Sequence, residues 1–116
     1  MSRDVRDLYL HWINELWNGR AAAIDLVADT FVGHWPDRDV RGPHELQAII
    51  DETRAMLDGP HFAVDIGPLC DGDLVAGRWR GIGRMSGGPA EFVGNDILRI
   101  AEGKAVEYWG VSAPTE

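Results

Sequence analysis

The residue of this chain most suited to chemistry is the aspartate at the centre of FVGNDILRI, residues 92–100. Counted by twos, Phe92, Gly94, Asp96, Leu98 and Ile100 share one side of a strand, and Val93, Asn95, Ile97 and Arg99 share the other. Asp96 takes the more apolar side, where an ionised carboxylate is costly unless it is hydrogen-bonded, paired or used. In a dry pocket desolvation raises its pKa, giving a base suited to removing a proton beside a carbonyl. The competing role is a buried carboxylate held by backbone N–H groups or an arginine, with no chemistry at all.

The second candidate is His34, set between Phe31-Val32 and Trp35-Pro36. It can orient Asp96, share its proton or act as its acid partner; the alternative is an imidazole hydrogen-bonded at a turn. Trp35, beside it, is placed to line a pocket mouth, with Phe92 and Leu98 as pocket walls on the Asp96 strand. Trp12, Trp17 and Trp79 read as core. Arg78, Arg80 and Arg84 share one side of their strand and read as a solvated or subunit-contacting stripe. His11, His34, His44 and His61 have no metal-ligand spacing, and with a single cysteine no metal site is expected. No serine or cysteine nucleophile signature is present: Ser86 lies in a glycine turn, and Cys70 has no neighbouring base. GIGRMSG lacks the spacing and following helix of a phosphate loop.

These residues need elements to position them. Val5, Leu8, Tyr9, Trp12, Ile13 and Leu16 recur at helical spacing and predict a helix over 3–18, ended by Asn18-Gly19. A second, shorter helix is expected over 21–28, packing Ile24 and Val27. Residues 31–40 read as irregular or briefly extended, with a turn at Trp35-Pro36-Asp37. Pro43 opens a third helix whose inner face is Leu46, Ile49, Ile50, Thr53 and Leu57. Turn signals at 70–73, 86–89 and 102–104 then separate four strands, 62–69, 74–85, 90–101 and 104–112, in an antiparallel meander. Helices first and strands after predict one α+β domain over 1–116 with the helices on one face of the sheet. Gly77, Gly81 and Gly83 on one side of the second strand predict strong bending or a close approach to the backbone.

The whole chain sets outer bounds. At 116 residues and 45% hydrophobic it is long enough and apolar enough for a real core. Its net charge of −8 and pI near 4.8 argue against nucleic acid or an anionic membrane as partner. One cysteine, no apolar leader and no membrane-length apolar run lead us to expect a cytoplasmic protein.

Five stretches in order, LWNGR, ADTFVGHWP, RGPHEL, DGDLVAGRW and NDILRIAEGKAVEYW, span nearly the whole chain. In them it resembles the SnoaL-like polyketide cyclases of the nuclear-transport-factor-2-like superfamily, which also holds ketosteroid isomerases and limonene epoxide hydrolases. The resemblance implies a curved sheet wrapped with three N-terminal helices into a cone, and a pocket at its open end for a small apolar or polycyclic molecule. It implies no cofactor, and a homodimer through the outer sheet face, where Trp109 and the arginine stripe would lie. It also turns Tyr108 inward as an oxyanion donor or a wall. In the anthracycline-type cyclases the catalytic aspartate is on the last strand, at the place held here by Gly110. Their pocket histidine corresponds to Asp96, and their pocket asparagine to His34. The expected function is cofactor-free acid–base chemistry on an apolar carbonyl-bearing or polycyclic substrate, with Asp96 as base and His34 as partner. The alternatives are a non-catalytic small-molecule binding protein and, more remotely, an epoxide hydrolase, which would need a second carboxylate.

Overall fold

The computed structural model describes residues 4–115. Helix α1 (Val5–His11) starts at Asp4, whose carboxylate accepts the Arg6 backbone N–H, and runs on as a π-helical turn, Trp12–Leu16. Its buried side is Leu8, Tyr9, Trp12, Ile13 and Leu16, as the spacing predicts. Asn18 does more than stop this helix. Its side-chain amide donates to the Phe62 carbonyl at 2.8 Å and its oxygen accepts the Phe62 N–H at 2.8 Å, so one side chain pairs with a strand as another strand would.

Helix α2 (Ala23–Leu26) is a single turn. It buries Ala23 and Leu26 and leaves Ile24 exposed, so the expected Ile24–Val27 packing is replaced by one set a residue earlier. Val27 is buried as the first residue of strand β1 (Val27–Trp35). With β2 (Arg38–Arg41), β1 forms a hairpin where the sequence reads as irregular or briefly extended, and its turn falls at Pro36-Asp37, as expected. Helix α3 (Gly42–Ala55) follows, with Pro43 in its first turn and the Glu45 carboxylate accepting the Arg41 N–H.

The remaining strands, β3 (Asp58–Asp71), β4 (Leu74–Met85), β5 (Gly88–Ala101) and β6 (Lys104–Pro114), form the expected antiparallel meander; β4 has the bounds its pattern gives, and the other three reach further. The six strands make one curved sheet in the order β2-β1-β6-β5-β4-β3. β1 pairs with β6 in parallel, so the sheet is mixed where a purely antiparallel one is expected. A parallel neighbour requires a long crossover, supplied here by α3 and the four intervening strands β2 to β5. The helices cover the concave face, over a core of Phe31, Val75, Leu98, Ile100 and the inward side of α1.

Aromatic rings lie directly on backbone at the concave face. A Cβ added to Gly94 would enter the Trp79 indole, and one added to Gly77 would enter the Tyr9 ring. We predict that Gly94→Ala destabilises the protein by about 1–3 kcal/mol, the usual cost of overpacking. Asn95→Ala, on the convex face one residue away, should cost under ~0.5 kcal/mol. Urea denaturation of the two variants checks this, and equal midpoints would contradict the packing.

Candidate active site

Asp96 is 2% exposed, the one charged residue in the buried core among the described residues. On either side its register partners are glycines, Gly77 on β4 and Gly110 on β6. The space those glycines leave is filled by the groups that reach the carboxylate. Tyr9 crosses Gly77 to donate its O–H to Asp96 Oδ2 at 3.3 Å. Tyr108 folds back over Gly110 and donates its O–H to Oδ1 at 2.7 Å. Trp79 lies across Gly94 and donates its indole N–H to Oδ1 at 3.2 Å. Three donors thus approach one carboxylate, each over a glycine. A side chain at Gly110 would collide with the Tyr108 hydroxyl, so this backbone position has no room for the aspartate of the anthracycline-type cyclases.

Burial pushes the Asp96 carboxyl up to about 7, and the hydrogen bonds from Tyr108, Trp79 and Tyr9 only partly oppose it. Burial, together with the neighbouring Asp96 charge and the hydrogen bond to it, raises Tyr9 and Tyr108 well above the ordinary tyrosine range. Both therefore stay protonated as donors. The result is a carboxyl poised near neutrality, in the range where proton uptake and release are both accessible.

Asp96 sits on the wall of a cavity of about 100 Å³. Trp17, Trp35, Phe62, Trp79 and Tyr108 supply its rings, Ile13 and Ile49 its aliphatic surface, and Thr53 and Ser112 its hydroxyls. Ile49 and Thr53 come from the inner face of α3. The volume accommodates a group the size of a single small ring, so a polycyclic molecule could enter only in part.

Of the pocket residues expected from sequence, Trp35 and Tyr108 join Asp96 at the cavity. Leu98 does not; it is fully buried one residue pair further along, between Val75 and Tyr108. Phe92 lies four residues from Asp96, about 13 Å along the strand, and does not line the cavity.

His34 is on the convex side. Its register partner is Trp109, whose ring it stacks on at 5.7 Å, and its nitrogens meet Asp39 Oδ1 at 2.9 Å and Glu107 Oε2 at 2.7 Å. Two carboxylates facing both ring nitrogens are satisfied together only by the imidazolium, and these bonds raise its pKa, Asp39 foremost. The pairing of His34 with Asp96 is therefore corrected. Within a strand, neighbours point to opposite faces, so His34 and Trp35 cannot both enter the pocket.

Tyr9 and Trp79, which the sequence offers only as helix-face and core residues, are the donors to Asp96 that it does not identify. Their signal was the glycines at 77, 94 and 110, each facing an aromatic ring across the concave surface. Among the described residues no three His, Cys, Asp or Glu side chains converge as a metal site would require.

The SnoaL-like domain model matches residues 9–108 of the chain. No curated protein sequence matches it. Among solved structures it is similar to wild-type IdmH of Streptomyces antibioticus, a proposed polyketide cyclase, at 22% identity and a TM-score of 0.82, covering 95% of this chain and 92% of that one. A proposed SnoaL-like polyketide cyclase of Jannaschia sp. CCS1 superimposes with a TM-score of 0.82 at 14% identity over 97% and 90% of the two chains. A proposed isomerase of the SnoaL-like family from Agrobacterium tumefaciens does so with a TM-score of 0.72 at 20% identity, over 94% of each chain. At these identities the likeness is one of fold.

The raised Asp96 pKa carries a pH signature of defined sign. The folded carboxyl keeps its proton up to about pH 7, while an ordinary one releases it near 3.8. Between those values the folded state binds more protons than the unfolded state, so this group's contribution to stability falls as pH rises. The full swing is on the order of 4 kcal/mol. We expect wild-type protein to lose stability relative to Asp96→Asn from pH 4 to pH 8, measured by urea denaturation at several pH values. His34 titrates in both proteins and cancels in the difference. A wild type that instead gains on the variant would mean that Asp96 is ionised throughout.

Proposed function

Because this chain belongs to the SnoaL-like domain family, we propose that it is a cyclase- or isomerase-type enzyme in which Asp96 is the general base. The observation carrying this reading is a carboxyl held near neutrality on the wall of an aromatic cavity, with a protonated tyrosine 2.7 Å away. Ionised Asp96 takes a proton from carbon beside a carbonyl, and the electron pair moves to the carbonyl oxygen. Once Asp96 is neutral its claim on the Tyr108 O–H weakens, and that hydroxyl can turn to the oxyanion. Returning the proton to a different carbon completes an isomerisation; attack of the carbanion on a second carbonyl forms a carbon–carbon bond and an alkoxide, and the Asp96 proton passed to that oxygen completes a ring closure. The substrate is a carbonyl compound that offers a ring-sized apolar group to the cavity.

One observation favours a second reading, a non-catalytic binding pocket: Asp96 already accepts three hydrogen bonds and needs no substrate to satisfy it. The two readings differ in proton exchange. Solvent deuterium incorporation beside the carbonyl of small cyclic ketones, followed by NMR, should be accelerated by wild-type protein and should rise through pH 7 to a plateau. Asp96→Asn should lower it by roughly 100-fold or more. His34→Gln, on the opposite face, should leave it within about threefold, the scatter of a surface change. Unchanged exchange in folded Asp96→Asn would leave only the binding reading.

The homodimer belongs to the same proposal. Ile66, Leu69, Ile97 and Val111 are exposed on the convex face in two neighbouring rows. Ala76 separates Leu69 from Ile97, and Arg78 and Asn95 separate Ile66 from Val111; Arg78 and Arg80 are in ion pairs with Asp65 and Glu91. Exposed apolar side chains interspersed with paired charges favour a sheet-to-sheet twofold contact. Light scattering at micromolar concentration should give twice 12.8 kDa for the wild type and 12.8 kDa for Ile97→Glu. A monomeric wild type would remove the idea.

A further inference from the structure

The rings lining the cavity form two runs that Asp96 joins into one arc. Trp17 meets Phe62 edge-on with centroids 6.2 Å apart, and Phe62 meets Trp79 edge-on at 5.6 Å. On the other side Trp35 packs against Tyr108 at 4.7 Å. Trp79 and Tyr108 are then joined through Asp96 Oδ1, which accepts from both. These two residues commit their polar hydrogens to the carboxylate, so what they offer a ligand is ring. Among the described residues, no lysine, arginine or histidine lines the cavity.

An aromatic face is the negative part of the ring quadrupole, and a carboxylate adds a full negative charge. Both bias the interior toward positive charge. The cavity volume of about 100 Å³ suits a compact group of a few methyls around one nitrogen. A primary ammonium would need three acceptors there, and beyond Asp96, which already takes three hydrogen bonds, the walls supply only the Thr53, Ser112 and Tyr108 hydroxyl oxygens and backbone. A methylated ammonium needs one acceptor or none, is weakly hydrated, and makes its contacts through C–H groups.

We propose that this cavity binds a small tri- or tetraalkylammonium group, enclosed by the aromatic arc and neutralised by Asp96. The inference rests on the same cavity being a ligand site, as the proposed activity does, but not on Asp96 acting as a base. Such a group could be the whole ligand or the charged end of a substrate. The ionisable groups facing Asp96 are Tyr9 from α1 and Tyr108 from β6, both protonated. Affinity for a permanent cation therefore rises with Asp96 ionisation, across neutral pH.

The test is calorimetric titration of the full chain with choline, tetramethylammonium and 3,3-dimethylbutan-1-ol, the neutral carbon counterpart of choline. We expect choline to bind at least about tenfold more tightly than the alcohol, and to tighten from pH 6 to pH 8 while the alcohol does not. Asp96→Asn should remove most of that preference. Trp35→Leu, at a half-buried position, should weaken choline more than the alcohol, which keeps the test open if the Asp96 variant folds poorly. Equal affinities, a preference for the alcohol, or no binding of either would overturn the proposal. Deuterium exchange that depends on Asp96 alongside any of those results would sink this inference and leave the base in place. Selective choline binding without exchange would do the reverse.

Discussion

The concave half of this molecule is arranged around a carboxylate almost wholly withdrawn from water. Leaving Asp96 buried without partners would cost several kcal/mol, and three donors from three different elements offset much of that cost: Tyr9 of α1, Trp79 of β4 and Tyr108 of β6. Each is a large ring that must lie almost flat on the sheet to bring its polar atom to Asp96. Only glycine permits this, and glycine stands at 77, 94 and 110, where the three rings cross. The bare backbone at these positions and the charge at position 96 are one feature.

That feature also ties the helix to the sheet. Tyr9 reaches Asp96 from α1, and about 13 Å further along, at about 1.5 Å per residue, Asn18 pairs with the Phe62 backbone on β3. Two polar attachments and an apolar face between them hold α1 over the strands. Phe62, fixed by Asn18, is then the ring that links Trp17 to Trp79 across the cavity. The cavity walls are therefore part of the load the fold carries, which makes them stiff: its rings are positioned by packing and hydrogen bonds before any ligand arrives.

The electrostatics of the site pull in two directions. A carboxyl poised near neutrality suits proton transfer, whereas ring faces and carboxylate together disfavour a carbanion unless its charge is drawn to an oxygen beside Tyr108. The tyrosine hydroxyl is thus central to either use of the cavity. While Asp96 is ionised it completes the carboxylate's shell; when Asp96 is neutral it becomes the strongest free donor at the wall. The convex face is chemically separate, its His34–Asp39–Glu107 cluster held at Trp109 and beyond the sheet from the site.

Local pattern alone determined a good deal. A period of two placed Asp96 on the buried side of its strand, helical spacing placed Tyr9 on the buried side of α1, and three turn signals delimited β3 to β6. These are properties of neighbouring residues, and nearest-neighbour geometry suffices to read them. The tertiary structure decided whatever depends on which distant segments meet. The parallel pairing of β1 with β6 joins strands separated by most of the chain, and without that pairing 31–40 could be read only as irregular or briefly extended. Once β1 exists, alternation sends Trp35 to the cavity and His34 to the far side, which reverses the role its neighbours suggested. In the same way, Gly77, Gly81 and Gly83 announced strong bending or a close approach but not what would approach, and nothing local marked Gly110 as its counterpart. Only the folded sheet brings Gly77 and Gly110 to either side of Asp96, and only then do two tyrosines 99 residues apart find one carboxylate.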